Sequence, residues 1–497
     1  MEIFRDFGAT RISQSAMTRP LFWLLVSLIS LVPLCLVLPL APTRVGVGAI
    51  VVWSVLIWLA ISFVRGRSHY VVPIWVAFYP YCYSLFLFPQ DRPIFTVDRG
   101  LIVVLIIEML FVSRQGLLAV PLTRDVLVSG YIWGLYLLVC FLSLALRAPS
   151  NELGLYRLLV EGMLMPALFG LYAIRYFPVM EDLRKLHICA CILALGLFTT
   201  GFFELTTGID LFPWGGSEPL FTQTNLRRAD GPFEQQVVLS VVASLTFFFI
   251  LYLGRVTSSD RSTWLTLLHK AGCLASLGGA LLPLNRGLII ALIPIAIIDS
   301  CVRNRMVSRR TWAAFFSLVL LAALATKVLD PLLYEERVAS PDNVYQRIAQ
   351  HQETLRVFRE YPFFGVGFAQ YHDFASQNPR YMARWRGIDS MTVQHNVLMT
   401  VLTDQGIVGL VLYCSSQAFL ILAMWRIRKA FPLGWLAFLY CVLIYLLIGM
   451  DYATVYFPDI NLFYILILGV IYQVQSRIAH AELPGNSASL QVIGQVQ

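Results

Sequence analysis

A histidine and several arginines are the side chains in this sequence that are best suited to chemistry. His395 lies where a long polar stretch, residues 330–394, meets a hydrophobic run. Histidine takes or gives a proton near neutral pH because its unperturbed pKa lies in that range. Guanidinium groups suit phosphate because their planar fork donates two hydrogen bonds at once. Together these residue types favour proton transfer beside a bound anion.

Arginines near the ends of hydrophobic runs are candidates for holding that anion. Arg286 lies in a tight turn between two such runs, where an unpaired guanidinium is costly and is expected to meet an anion. Arg227 and Arg228 precede another hydrophobic run. Two alternatives stay open: Arg286 extends into the lipid headgroups, or Arg227 or Arg228 pairs with Asp230 or Glu234.

His395 is expected to stand at the N-terminus of a helix, because a hydrophobic run begins directly after it. The partial positive charge and the unpaired N–H groups of such an end favour phosphate binding. The same field disfavours a protonated imidazole, which would keep His395 neutral and able to act as a base. The alternative is that His395 only makes hydrogen bonds at the membrane interface.

The composition predicts that membrane-spanning helices position these side chains. Of 497 residues, 58% are hydrophobic and 13% are charged, which is too little charge for a soluble protein of this length. Apolar runs of about 18 residues recur, and the bilayer interior accepts only helices or closed barrels. Strand-like alternation is absent, so the predicted fold is all-α: a polytopic membrane helical bundle with a large periplasmic loop.

We expect about fourteen spans, from apolar runs long enough to cross the bilayer. The predicted spans cover residues 20–41, 48–65, 70–88, 98–113, 127–146, 155–177, 187–206, 234–254, 266–283, 287–301, 312–329, 396–424, 433–450 and 459–476. The predicted regions are a transmembrane bundle of about eleven spans at 1–329, a large periplasmic catalytic loop at 330–395, C-terminal spans at 396–476 and a cytoplasmic tail at 477–497.

Basic residues between the spans predict the orientation. Most of them, such as those at 303–310, fall on the same side as the N-terminus, which the positive-inside rule makes cytoplasmic. Both termini are then cytoplasmic, and His395, Arg286, Arg227 and Arg228 lie on the periplasmic face. The net charge of +8 therefore reflects orientation, and nucleic acid is not an expected partner.

The long loop is predicted to contain an amphipathic helix. Ser-Pro-Asp at 340–342 is typical of a helix start, and the turn at 361–367 ends the helix after Glu360. Apolar residues recur near helical spacing between these points, at Val344, Ile348, Leu355 and Phe358. We expect this helix to lie along the membrane surface with its apolar face toward the lipid.

No cofactor is expected, since the sequence has no Walker, HExxH or GxSxG motif. The nine cysteines lie in or beside apolar runs and show no metal-binding spacing. The first outer loop, residues 41–46, holds no carboxylate, which argues against a metal-requiring glycosyltransferase. Carboxylates within the predicted spans are sparse, which argues against a proton-coupled transporter.

The order and spacing of several motifs resemble the O-antigen ligase and polymerase superfamily of bacterial inner-membrane glycan transferases, over roughly residues 220–425. The motifs are Arg-Ala-Asp-Gly-Pro-Phe at 228–233, Asn-Arg-Gly at 285–287, Arg347, Pro-x-x-Gly-x-Gly at 362–367, His395-Asn396, and Gly406 with Gly409. Two positions depart from the family pattern. Glu234-Gln235 stand where many members have asparagine, and Leu410-Val411 stand where some ligases have a threonine pair.

The resemblance implies a glycan on undecaprenyl diphosphate as the donor, and a metal-independent, inverting transfer. It implies that Arg228 and Arg286 hold the diphosphate and that His395 accepts the proton of the attacking sugar hydroxyl. The expected supporting substrate contacts are Arg227, Arg347 and Asn396.

The acceptor distinguishes the members of this superfamily. A ligase transfers the polymer to lipid A-core, whereas a polymerase transfers it to a second lipid-linked glycan in O-antigen or exopolysaccharide synthesis. The departures from the pattern leave both open, with the ligase type favoured, and a protein-glycosylating relative is a third reading. A polysaccharide flippase or other transporter that only binds the lipid-linked glycan is the alternative from a different class.

Overall fold

The computed structural model describes most of the chain from residue 70 to residue 481. The described residues are 70–85, 97–112, 122–147, 153–177, 179–207, 209, 211, 229–233, 235–257, 262–283, 285–329, 342–390 and 395–481. The predicted spans at 20–41 and 48–65 lie outside these residues, as do Arg227 and Arg228.

Helices account for nearly all of this part of the chain. They are α1 (Val71–Leu85), α2 (Val97–Val112), α3 (Arg124–Arg147), α4 (Leu153–Leu159), a π-helical turn (Val160–Leu164), α5 (Met165–Arg175), α6 (Val179–Thr207), α7 (Gln236–Val256), α8 (Thr263–Leu281), α9 (Arg286–Cys301), α10 (Arg309–Leu329), α11 (Asp342–Glu360), α12 (Tyr371–Gln377), α13 (Val397–Arg426), α14 (Pro432–Gly449) and α15 (Pro458–Ala481), with 3₁₀ turns at Pro379–Tyr381 and Thr454–Tyr456. The sheet found among the described residues is one small antiparallel hairpin, β1 (Arg384–Trp385) with β2 (Ile388–Asp389). The all-α prediction is confirmed.

Among the described residues, every predicted span from 70–88 onward overlaps one or more helices. Seven helical segments of the described chain are long and apolar enough to cross a membrane: α3, the continuous run from α4 through α5, α6, α7, α13, α14 and α15. The protein is therefore a helical membrane protein, whereas the total of about fourteen spans stays a prediction. The last helix continues to Ala481, past the predicted end of the last span at 476.

Helix α7 forms the centre of the bundle. In its most apolar stretch, 94% of the residues are buried, and it packs against α6, α8 and α14. A helix that is apolar on all sides needs partners on all sides. Two of its buried polar side chains bond within the helix: Ser244 and Thr246 donate to backbone carbonyls one turn earlier, at 2.8 and 2.7 Å.

Helix α13 is broken at Gly406, and the glycine turn of the long loop fills the break. Gly406 has φ 67° and ψ −163°, a conformation essentially restricted to glycine. The backbone N–H of Ile407 donates to the carbonyl oxygen of Pro362 at 2.8 Å. A Cβ added at Gly406 or Gly365 would lie 2.3 Å from backbone atoms of the facing segment. The two glycine motifs therefore form one junction that ties the loop to α13.

Helix α11 has the predicted limits, Asp342–Glu360. Its buried residues are Ala349, Gln350, Glu353, Thr354 and Val357. The predicted apolar stripe lies elsewhere on the helix, since Val344 and Leu355 are 58% and 45% exposed. Ile348 and Phe358, the other two residues of the stripe, are partly buried, and contact of the stripe with the membrane surface stays a prediction.

Glu353 on α11 connects this helix to both following parts of the loop. Its buried carboxylate accepts hydrogen bonds from the hydroxyls of Tyr371, at the start of α12, and Ser390, directly after β2. Burial raises the pKa of Glu353, and the two hydrogen bonds oppose that rise. The chain is thus anchored to α11 shortly before it reaches His395.

Candidate functional site

Four segments of the chain meet at one end of the bundle and form the candidate site, here called the His395 site. They are the start of α9 at Arg286, the first half of α11 at Arg347, the entrance to α13 at residues 395–396, and residues 450–452 after α14. The fourth segment contacts each of the other three, so residues far apart in sequence are brought together here.

Asp451 makes two of these contacts, with Arg347 and with the start of α9. Its Oδ1 lies 3.2 Å from Nη2 of Arg347. Its Oδ2 lies so close to the first turn of α9 that a Cβ added at Gly287 would be 2.6 Å from it. Because residue 287 is a glycine, the carboxylate of Asp451 can approach the start of α9. Asp451 therefore lies between the first turn of α9, which begins at Arg286, and Arg347.

Arg347 is a partly buried cation with two protein contacts. Besides Asp451, its Nη1 donates to Oε1 of Gln350 at 3.3 Å. Burial lowers the pKa of Arg347, and the negative charge of Asp451 opposes this. A guanidinium starts from so high a pKa that it remains charged at neutral pH. Arg347 therefore supplies a fixed positive charge inside the site.

His395 is half-buried, and its pKa is lowered from 6.5 to about 4, first by burial and then by the positive charge of Arg347. Its ring meets the ring of Tyr452 edge to face, with 6.1 Å between centroids. No residue in the described part of the chain donates a hydrogen bond to its ring nitrogens or accepts one from them. This lowered pKa agrees with the neutral imidazole that the sequence predicted. Its causes are burial and the charge of Arg347, rather than the field of the helix N-terminus expected from the sequence.

Asn396 is engaged with the protein. Its Oδ1 accepts from the backbone N–H groups of Leu398 and Met399 at 2.9 and 3.2 Å, and its Nδ2 donates to the carbonyl oxygen of Met450 at 3.1 Å. The expectation of unpaired N–H groups at this helix end was wrong for these two, because the N-cap side chain satisfies them. Asn396 fixes the start of α13 against the segment that carries Asp451.

Arg286 is the first residue of α9 and is partly buried. The preceding Asn285 caps the helix, accepting from the N–H of Gly287 at 2.9 Å. The Nδ2 of Asn285 is buried and has no hydrogen-bond partner among the described residues. No carboxylate of the described chain forms an ion pair with Arg286. The start of α9 therefore presents a guanidinium and an amide donor beside Asp451.

The other two predicted arginines, Arg227 and Arg228, lie outside the described residues. The segment that follows them, residues 229–233, packs against α6, and the N–H of Gly231 donates to Oε2 of Glu204 at 2.7 Å. The pairing of either arginine with Asp230 or Glu234 is untested.

The sequence interpretation missed Asp451 and Tyr452 as members of the site. One signal was available: both residues directly follow the predicted span 433–450, on the same predicted face as His395. It also missed His351 on α11, whose pKa is lowered by burial and by the charge of Arg347. Among the described residues, no group of three or more His, Cys, Asp or Glu side chains is arranged to hold a metal ion.

The arrangement combines a neutral imidazole with two guanidinium groups at the end of an apolar bundle. Such a site can bind an oxyanion and accept a proton from a nearby hydroxyl. Comparison with known families narrows this chemistry further. Residues 271–414 match the family model described as O-antigen ligase.

These residues form an O-antigen ligase domain. The match runs from α8 into α13 and contains Arg286, Arg347, His395 and the helix break at Gly406. It confirms the resemblance to the O-antigen ligase and polymerase superfamily, although it begins later than the resembling motifs at 228–233. No curated protein matches the chain.

The O-antigen ligase domain does not contain the whole His395 site. Asp451 and Tyr452 come after its last matched residue, 414. The contacts of Asp451 with Arg347 and with the start of α9 therefore join the domain to the C-terminal helices. The match at residues 271–414 indicates glycosyl transfer of the O-antigen ligase or polymerase type, with lipid-linked glycans in a membrane as substrates.

Proposed function

We propose that this protein transfers a glycan from undecaprenyl diphosphate to an acceptor hydroxyl, as an O-antigen ligase-type glycosyltransferase at the periplasmic face of the bacterial inner membrane. The observation that carries the proposal is the neutral, half-buried His395 beside Arg347 within the O-antigen ligase domain. In this orientation both chain termini are cytoplasmic, following the distribution of arginine and lysine.

In the proposed reaction, the acceptor hydroxyl attacks the anomeric carbon of the donor sugar and inverts it. The hydroxyl proton goes to His395. The bond between the anomeric carbon and the diphosphate oxygen breaks, and the diphosphate leaves with the electron pair. Arg286 and Arg228 stabilise the charge that develops on the diphosphate, and Arg227 is a further contact. With arginines in this role, the transfer needs no metal ion.

Arg347 has two roles in this proposal. It contacts the anion, and its positive charge keeps His395 deprotonated and ready to accept a proton. Asp451 orients Arg347 through the ion pair. We propose Asn396 as a positioning residue, because its side-chain oxygen accepts a hydrogen bond from Leu398 and its side-chain nitrogen donates one to Met450.

The acceptor is lipid A-core for a ligase and a second lipid-linked glycan for a polymerase. The ligase assignment is the first choice, and the O-antigen or exopolysaccharide polymerase is the alternative. A flippase or transporter would use the same arginines for binding but would have no need of a neutral imidazole beside them.

The test is turnover by purified, detergent-solubilised protein on undecaprenyl-diphosphate glycan, with a metal chelator present and each acceptor offered separately. Product on lipid A-core identifies a ligase, and a lengthened lipid-linked glycan identifies a polymerase. Loss of product in the chelator that returns with added metal contradicts the metal-independent mechanism. Binding of the donor without transfer to either acceptor contradicts the proposed enzyme and favours a carrier.

A further inference from the structure

A cavity of about 370 Å³, here called the polar cavity because charged and amide side chains are part of its lining, opens at the same end of the bundle as the His395 site. Its polar lining residues are Arg99, Arg157, Glu161, Gln235, Tyr456 and Asp459. Phe233 and Phe457 add aromatic surface, and the remaining walls are mostly proline and aliphatic side chains. None of these residues belongs to the O-antigen ligase domain at 271–414.

Two arginines in this cavity share one carboxylate. Glu161 lies 2.6 Å from Nη2 of Arg99 and 2.7 Å from Nε of Arg157. The Glu161 and Arg99 side chains are 11% and 13% exposed, whereas Arg157 is 28% exposed. Part of the donor fork of Arg157 is therefore accessible from the cavity.

Glu161 is held in the cavity by a π-helical turn, Val160–Leu164. Such turns are rare, and they occur frequently at functional sites. The turn is stabilised from α15, where the Nδ2 of Asn461 donates to the carbonyl oxygens of Gly162 and Val455, both at 2.9 Å. The same amide thus fixes the wall with Glu161 and the segment 450–457.

The charges of the cavity nearly balance, because Asp459 and Glu161 accompany the two arginines. A balanced set of guanidinium, carboxylate and amide groups is better suited to sugar hydroxyls than to a phosphate, since hydroxyls donate and accept hydrogen bonds at once. The alternative is that these charges only stabilise the fold by ion pairing. That alternative explains the contact of Glu161 with an arginine, but it does not explain why an open cavity with aromatic walls surrounds both arginines.

An apolar cavity of about 440 Å³ adjoins the same π-helical turn, between α3, α5, α13 and α15. Glu161 lines the polar cavity, and the next residue, Gly162, lines the apolar one. A polar cavity beside an apolar one fits a molecule with a glycan head and a hydrocarbon tail. We propose that the cavity of Arg99, Arg157 and Glu161 binds the sugar of a lipid-linked acceptor, which rests on the proposed transferase function.

The position of the cavity fits an acceptor. Tyr452 contacts His395, and Phe457 of the same segment lines the cavity. Their Cα atoms are separated by at most about 18 Å even for an extended chain. An acceptor glycan that spans this distance directs a hydroxyl toward His395 while the donor diphosphate occupies the arginines of the His395 site.

Two variants test the proposal in different ways. Arg157→Gln removes the accessible guanidinium, and Gly154→Leu places a side chain at the cavity wall without disturbing the ion pairs. A Cβ at Gly154 has open space around it, as does one at Gly134, which lines neither cavity and supplies the control Gly134→Leu. Arg384→Gln, at an exposed ion pair with Asp389, is the control for the lost charge.

The measurement is steady-state transfer with the acceptor and then the donor varied, using the acceptor that the wild type accepts. We expect both variants to raise the acceptor KM roughly tenfold. Arg157→Gln loses one charge-assisted hydrogen bond to the acceptor, and Gly154→Leu fills part of the space that the acceptor sugar occupies. We expect the donor KM and kcat at saturation to stay at the wild-type values, as in both controls. An unchanged acceptor KM in both variants, or a raised donor KM, overturns the proposal.

A binding measurement tests the proposed acceptor site independently of the proposed transferase activity. If the wild type transfers to no acceptor, binding of lipid A-core and of a lipid-linked repeat unit is measured without donor. Binding that Gly154→Leu weakens, and Gly134→Leu does not, supports the subsite although the transferase proposal has failed. If all variants bind lipid A-core and the lipid-linked repeat unit as well as the wild type does, the proposed acceptor site is overturned.

Discussion

At the scale of residues, Arg347 connects the proposed anion-binding part of the site with the proposed base, His395. It is paired with Asp451 at 3.2 Å, and the pKa of His395 is lowered first by burial and then by the charge of Arg347. An imidazole with a low pKa is a weaker base, but nearly all of it is in the reactive form at neutral pH.

The first prediction concerns the pH dependence of transfer. His395 must be neutral to act, and its pKa is about 4, so kcat/KM should fall only as the pH drops toward that value. In Arg347→Gln the loss of a positive charge should raise the pKa of His395 and move the acidic limb to higher pH. The measurement is kcat/KM against pH for both proteins. A wild-type limb near pH 6.5, or the same limb in both, contradicts the coupling.

The second prediction concerns Asp451. Asp451→Asn should lower kcat/KM by roughly tenfold to a hundredfold, because a hydrogen bond to a charged group contributes about 1.5–3 kcal/mol. Asp389→Asn breaks an exposed ion pair with Arg384 and should leave kcat/KM unchanged. Wild-type activity in Asp451→Asn would show that Arg347 needs no orienting partner.

At the scale of elements, the junction between the glycine turn and the break in α13 determines where the loop lies. The N–H of Val366 donates to the carbonyl oxygen of Thr403 at 2.8 Å. The N–H of Gly367 donates to the backbone carbonyl oxygen of Asp404 at 2.9 Å. The carboxylate of Asp404 accepts from the N–H groups of Ala369 and Tyr371, both at 3.1 Å. The loop is thus bonded to the helix that begins beside His395.

The third prediction tests this junction. Gly406→Ala should lower the free energy of unfolding by more than about 3 kcal/mol, since it adds backbone strain to a clash with Phe363. Gly387→Ala is the matched control: Gly387 also has positive φ, 87°, but open space around its Cβ. The readout is apparent Tm in detergent together with protease resistance of the loop. Equal losses in the two variants would show that the junction adds no stability.

The sequence predicted the elements of the site better than their contacts. Hydrophobic runs located α9 and α13, and helical spacing located α11, because these are local patterns. The partnership of Asp451 with Arg347 depends on packing between helices distant in sequence, and nothing local signals it. Likewise, Gly406 was expected inside a continuous span. The break there depends on the glycine turn at 362–367, and the sequence around Gly406 alone does not show that this turn packs against it. The π-helical turn at Val160–Leu164 has no sequence signature at all.

At the scale of the whole molecule, the bundle has two chemically different ends. The His395 site and the cavity lined by Arg99, Arg157 and Glu161 share one end. At the α9–α10 connection, the buried Asp299 accepts from the N–H groups of Met306 and Val307 at 2.7 and 2.9 Å and from the hydroxyl of Tyr440 at 2.8 Å. These bonds fix the turn that carries the exposed arginines at 303–305.

The fourth prediction is that these two ends lie on opposite faces of the membrane. In a background without the native cysteines, Arg384→Cys on the exposed hairpin should react with a membrane-impermeant maleimide added to intact spheroplasts. Arg305→Cys, also exposed, should react only after the membrane is permeabilised. The reverse pattern would place the His395 site in the cytoplasm and contradict the orientation predicted from the positive-inside rule.

The most direct test of the central claim is single-turnover transfer by His395→Ala, with donor binding measured on the same preparation. His372→Ala, which removes an exposed histidine of the same loop, is the control. We expect His395→Ala to bind undecaprenyl-diphosphate glycan like the wild type and to transfer it at least about a hundredfold more slowly, the usual contribution of a general base. Transfer at the wild-type rate would contradict the assignment of His395 as the base.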